Sequence, residues 1–259
     1  MKTTRNLPAT HHEIFAADYS ANYLAGRTVL VTGAGDGIGQ TAALHYAVHG
    51  ARLILAGRTV AKLENTYDQI LANNAPQPSI YPIDFAGAQE ADYTQMAAHI
   101  DKNGPLNGIL FNASLLGARC PIENYPLADW DACMTVNLRS QFLMTKALLP
   151  ALQRHPDSKI IYTSSGVGRH GRAHWGAYAI SKFATEGLMQ VLADELDGAS
   201  SLCVNAINPG PIRTQMRATA YPAENPTQLP TATTIMPLYL YLIGPASANL
   251  SGHSLDAQP

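Results

Sequence analysis

Charge is scarce in this sequence and nearly balanced, with 17 Lys and Arg against 19 Asp and Glu and a formal net charge of -2. That removes the basic surplus that nucleic acid or an anionic membrane surface would require, and leaves a small molecule as the expected partner. Cysteine is equally rare. Cys120, Cys133 and Cys203 are odd in number and show no C-x-x-C spacing, which excludes a disulfide framework or a zinc site and reads as buried, reduced thiols. No metal is expected. No run of about 18 uncharged apolar residues occurs, so nothing is expected to span a membrane. The first 24 residues carry Lys2 and Arg5, but Pro8, His11, His12, Glu13 and Asp18 interrupt every candidate apolar block. A signal peptide is therefore not expected, and the cytoplasm is the expected compartment. Low-complexity linkers and long internal repeats are also missing. Residues 1–24 read as an N-terminal extension and residues 25–259 as one domain.

What is present is an alternation of short apolar runs with helical patterns. Thr28–Thr32 reads TVLVT, Arg52–Ala56 reads RLILA, and Ile80–Ile83, Gly108–Phe111, Lys159–Thr163 and Leu202–Ile207 continue the series. Stretches of helical period separate most of them. The pattern predicts an α/β fold with a doubly wound, mainly parallel sheet and helices on both faces. The tail from Gly252 to Pro259 is expected to add an edge strand. Residues 215–234, rich in Pro, Ala and Thr with little periodicity, read as a loop with at most a short helix, a common form of substrate lid.

Two local patterns carry chemistry. After the first strand comes Thr32-Gly33-Ala34-Gly35-Asp36-Gly37-Ile38-Gly39, where glycines ending a strand and opening a helix let backbone N–H groups approach a pyrophosphate. A tight turn needing positive φ would use the same residues. Farther on, Tyr178 and Lys182 are spaced i, i+4, which places both on one helix face. A free tyrosine titrates near pH ~10, so proton exchange at neutral pH calls for a nearby ammonium that favours the phenolate.

These residues resemble the short-chain dehydrogenase/reductase family from about Leu24 onward. TGxxxGIG is similar to the family's cofactor loop, and Ser165, 13 residues before Tyr178, matches its catalytic serine. The resemblance implies a single-domain Rossmann fold and hydride transfer between a nicotinamide coenzyme and a carbonyl or alcohol. It makes Asn137, Ser165, Tyr178 and Lys182 the catalytic set. Adjacent Ser164 competes with Ser165, but alternation along extended backbone aims only one of them into a site, and Ser165 is preferred. Asn137, in Val136-Asn137-Leu138, matches the family asparagine that positions a proton-relaying water.

Cofactor contacts are expected from Gly33, Gly35, Asp36, Gly37, Ile38 and Gly39, together with Tyr178 and Lys182 through the nicotinamide ribose. Asp84 matches the family aspartate that meets the adenine. Asn112 and Ala113 lie in a segment similar to the family's NAG motif, with Ser114 replacing its glycine. Pro209, Gly210, Ile212 and Thr214 resemble the segment that holds the carboxamide. After the second strand stands Arg58 and no acid before Glu64, which favours a 2′-phosphate and hence NADP(H) over NAD(H). Asp36 works against that preference, since NADP-preferring relatives often carry a base there.

More narrowly, Gly166-Val167-Gly168-Arg169, the segments around Tyr178, and Asp256-Ala257-Gln258-Pro259 resemble the YciK-type bacterial oxidoreductases. Family analogy implies a homodimer or homotetramer. Arg169, His170, Arg172, His174 and Trp175 fall where relatives build a wall of the substrate cleft, and their cations would suit an anionic or polar carbonyl substrate; a basic loop that is solvated or faces another subunit is the alternative reading. The alternatives are a nucleotide-binding regulator or scaffold on the same fold with little turnover, and an epimerising relative.

Overall fold

The computed structural model describes residues 9–258. The first eight residues of the N-terminal extension, and Pro259 of the terminal motif, lie outside the described residues. In chain order the main elements are α1 (His11–Ala16), β1 (Thr28–Thr32), α2 (Gly37–Val48), β2 (Arg52–Gly57), α3 (Val60–Ala72), β3 (Ser79–Pro82), α4 (Glu90–Lys102) and β4 (Gly108–Phe111). The chain continues through α5 (Leu127–Met134), α6 (Ser140–Gln153), β5 (Lys159–Thr163), α7 (Gly176–Leu196), β6 (Cys203–Asn208), α8 (Gln215–Ala220), α9 (Met236–Ile243) and β7 (Ser254–Asp256).

All seven strands pair in parallel, in the order β3-β2-β1-β4-β5-β6-β7. This is a single-domain Rossmann fold. Parallel strands need helical crossovers, so both sheet faces are covered, and β1, β4 and β5 are buried along their whole length. Their Val, Leu and Ile side chains each contribute roughly 1.5–3 kcal/mol by leaving water. Two apolar clusters result, one per face: Val29, Val31, Leu53, Leu55 and Tyr239 on one side, Leu30, Ile109, Ile160 and Val204 on the other.

Strand order reverses between β1 and β4. That switch point opens a crevice at the carboxyl ends of the strands, where doubly wound sheets bind ligands. β3 and β6 each lie one residue away from the spans read in the sequence, because their pairing partners set the ends: Pro82 sits opposite Gly57 and Asn208 opposite Asp256. The tail does add the edge strand, β7. No helix among the described residues is long and apolar enough to cross a membrane.

Candidate active site

The crevice is a cleft of about 370 Å³, lined on one side by the glycine loop and on the other by residues from the ends of β4, β5 and β6. Local geometry explains the glycines. Gly33 has φ +67°, and a Cβ there would lie 3.0 Å from the Ala113 Cα. At Gly39 a Cβ would stand 2.3 Å from the Gly33 carbonyl oxygen. The loop therefore folds tightly against β4, and the first turn of α2 faces the cleft with N–H groups that have no acceptor within the helix. Asp36 occupies the N-cap position without capping; its carboxylate pairs with Lys62 instead. Opposite, Thr214 brings its methyl within 3.5 Å of where a Gly37 Cβ would be. An open helix start, glycines where a Cβ would crowd the loop, and a hydroxyl across the gap fit the pyrophosphate and carboxamide ends of a dinucleotide.

Neighbouring strand ends are cross-tied. The Thr32 hydroxyl accepts from the Asn112 and Ala113 N–H groups at 2.9 and 3.1 Å. Thr163 donates to the Asn112 side-chain oxygen at 3.3 Å. These ties hold β1, β4 and β5 in register beneath the cleft.

The backbone stays extended past β5, so Ser164 and Ser165 point in opposite directions. Ser164 donates to the buried Glu186 carboxylate. Ser165 lies against Tyr178 across the cleft. On α7, Tyr178 and Lys182 are both buried, at 8% and 1% exposure, and the Lys182 Nζ lies 5.5 Å from the Tyr178 ring centre while donating to the Thr163 carbonyl at 2.7 Å. Burial pushes the Tyr178 hydroxyl up to about 12, partly offset by its hydrogen bond with Ser165. Burial likewise brings Lys182 down to about 8, against the upward pull of Cys133 and Glu186. The tyrosine is thus raised rather than lowered beside its lysine, because desolvation disfavours both charged forms.

Asn137 sits at the centre of a π-turn, Thr135–Arg139, between α5 and α6. Such turns are frequent at functional sites. Its amide is saturated by protein partners: Oδ1 accepts from the Leu115 N–H at 2.7 Å, and Nδ2 donates to the Leu115 carbonyl at 2.9 Å and the Ser181 hydroxyl at 3.0 Å. The side chain therefore pins a strand-end loop to α7, one residue from Lys182.

The remaining expected residues divide. Gly33, Asp36, Gly37, Ile38, Asn112, Ala113, Pro209, Gly210, Ile212 and Thr214 line the cleft with Ser165, Tyr178 and Lys182. Gly35 packs on Lys62, and Gly39 packs behind the loop. Arg58 is exposed just past β2. Asp84 is exposed just past β3, where its carboxylate accepts from the Ala86 N–H at 3.2 Å. Neither of these two lines the cleft. Of the Arg169–Trp175 segment only Trp175 does; Arg169 turns to β7, where it pairs with Asp256 at 2.8 Å and lies near Glu186. Within residues 215–234, the cleft-lining part is α8, through Gln215, Met216, Arg217 and Ala220.

Several contributors carry no local sequence signal. Gln258 reaches back from the tail to the Pro209 and Pro211 carbonyls at 2.8 and 3.1 Å, bracing the turn that follows β6. Glu186 could have been suspected from its i, i+4 spacing to Lys182, and Thr32 from its place at the head of the glycine motif.

A family model described as short chain dehydrogenase matches residues 27–225. The chain is 48% identical over 237 residues, 91% of its length and 93% of the other's, to the uncharacterized oxidoreductase YciK of Escherichia coli K12. A Shigella flexneri 2a crystal structure complexed with NADP superposes with a TM-score of 0.90 at 46% identity, covering 93% of this chain and 100% of that one. An E. coli CFT073 crystal structure complexed with NADPH gives 0.89 at 47% identity with the same coverage of 93% and 100%.

Proposed function

The chain belongs to the short chain dehydrogenase family, and on that premise we propose that it is an NADP(H)-dependent oxidoreductase interconverting a carbonyl and an alcohol, with Tyr178 as the general acid/base. The observation that carries this reading is the placement of Tyr178, buried between Ser165 and Lys182 with its hydroxyl pushed up to about 12. At neutral pH it is protonated and ready to give a proton to a nascent alkoxide, which suits the reductive direction.

The nicotinamide supplies the hydride when bound. Ser165 donates to the substrate oxygen and holds it as charge develops. Tyr178 delivers its proton to the same oxygen, and the Lys182 ammonium lowers the cost of the resulting phenolate. Asn137 is a positioning residue, fixing the π-turn and Leu115 against Ser181.

Preference for NADP(H) is supported by Arg58 at the end of β2 and by the NADP and NADPH complexes of the two structural relatives. Lys62 answers the objection raised by Asp36, since the pair brings no net negative charge to the loop. Asp84 is assigned to the adenine end and α8 to the substrate lid. A homodimer or homotetramer acting in the cytoplasm completes the reading, and the exposed Phe142, Phe183 and Val191 of α6 and α7 support an interface there.

An NADPH-consumption screen over aldehydes, diketones, quinones and acyl thioesters tests this. Turnover of at least one class is expected. Tight NADPH binding without turnover on any of them would favour the regulator or scaffold reading.

A further inference from the structure

Trp175 lines the cleft, Tyr221 lies beside it with ring centres 5.9 Å apart, and three arginines from three separate segments converge on the pair. Arg119, in the loop after β4, lies 4.0 Å over the Trp175 ring and 5.3 Å from that of Tyr221. Arg217 of α8 lies 3.8 Å over Tyr221. Arg172 donates to the Tyr221 hydroxyl at 3.4 Å. One carboxylate answers them: Glu224 accepts from Nε and Nη2 of Arg217, both at 2.6 Å. Among the described residues Arg119 and Arg172 form no ion pair.

Two guanidiniums without a carboxylate partner among the described residues thus lie beside the cleft rather than in its lining, Arg119 against the lining residues Trp175 and Ala220 and Arg172 on Tyr221, in a chain whose net charge is -2. Guanidinium cannot shed its charge to relieve repulsion. Stacking on the Trp175 face offsets part of that repulsion for Arg119. Arg119 is also held firmly. Its Nε donates to the His174 carbonyl and its Nη1 to the Ala220 carbonyl, both at 3.0 Å. His174 takes a left-handed φ of 67° in presenting that carbonyl, a conformation a non-glycine residue rarely adopts. These bonds tie the loop after β4 to the segment before α7 and to the end of α8, and among the described residues Arg119 Nη2 has no acceptor. Leu116, Trp175 and Met216, which line the cleft, also form the apolar cluster around Tyr178.

We propose that Arg119 and Arg172 receive an oxyanion, carboxylate or phosphate, carried by the substrate at the end remote from its carbonyl, with an apolar spacer lying on Trp175. Arg217, already paired, shapes the pocket and holds Tyr221. This rests on the oxidoreductase reading above, which places the carbonyl between Ser165 and Tyr178.

The test is calorimetric titration of the protein, saturated with oxidised coenzyme, with matched pairs. These are para-(hydroxymethyl)benzoate against its methyl ester, and para-(hydroxymethyl)phenyl phosphate against the parent phenol. At least one anion is expected to bind about ten-fold tighter than its neutral mate, with the advantage shrinking as salt is raised. The better pair tells carboxylate from phosphate. The anion-over-neutral ratio is expected to fall about ten-fold in Arg119→Gln and several-fold in Arg172→Gln. Arg172 is exposed and its side chain donates to the Tyr221 hydroxyl, so its variant serves even if Arg119→Gln folds poorly. Parity in both pairs, or an unchanged ratio in the folded variants, overturns the proposal. Because the readout is binding, anion preference without turnover of any carbonyl would count against the oxidoreductase reading alone.

Discussion

The hydroxyl of Ser164 donates to the buried carboxylate of Glu186, so the serine next to the one facing Tyr178 is committed to the structural side of α7. Ser165→Ala is expected to lower kcat about 10²–10³-fold with little change in the urea midpoint. Ser164→Ala, which removes a donor from a buried carboxylate, is expected to cost about 1–3 kcal/mol of stability while keeping most of kcat. Chemical denaturation and steady-state kinetics on both variants check this. Equal losses of kcat would contradict it.

Lys182 makes activity expensive in stability. Its shift from 10.5 down to about 8 in a fully buried site corresponds to a penalty on the order of 3 kcal/mol. The sign follows from proton counting: below about 8 the lysine is charged in both states and the full penalty applies. Between about 8 and 10.5 the unfolded state holds more protons, so stability rises with pH and the penalty fades. Lys182→Met is therefore expected to be inactive yet more stable than wild type at pH ~7, even after losing the hydrogen bond to Thr163, and the gap in urea midpoints is expected to narrow toward pH ~10. The same shift predicts that carbonyl reduction in wild type declines as pH rises through about 8, when the ammonium behind Tyr178 is lost.

Much of the fold was legible because its signals are local. Apolar runs, their spacing and the glycines after β1 depend on backbone geometry within a few residues, and the i, i+4 spacing of Tyr178 and Lys182 follows from the helical period alone. Features that depend on partners distant in the chain were not legible. Gln258 braces Pro209 from 49 residues away. The π-turn at Asn137 exists because its amide answers Leu115, 22 residues upstream. Arg169 looked like a cleft residue by position, but the short turn at Gly166–Gly168 carries it toward β7, where Ser254 and Asp256 hold it. Arg119 was overlooked because a lone arginine in a loop has no signature until Trp175 and Tyr221 come beside it.

Cofactor choice turns on Arg58 and on the Asp36–Lys62 pair. Arg58→Ala is expected to weaken NADPH binding about 10-fold or more while leaving NADH nearly unchanged. Lys62→Ala, by exposing the Asp36 carboxylate, is expected to weaken NADPH in the same sense, and the double variant with Asp36→Ala to recover part of it. Fluorescence titration of both coenzymes measures each effect. NADH binding tighter than NADPH in wild type would sink the assignment.

The most direct measurement is Tyr178→Phe, which removes one hydroxyl from the buried pair and leaves the glycine loop, Thr214 and the strand-end ties untouched. NADPH-linked reduction of the best carbonyl found by screening, measured alongside NADPH binding by fluorescence, should show turnover lost by about 10³-fold or more with the dissociation constant nearly unchanged. Turnover at the wild-type rate in that variant would contradict the account.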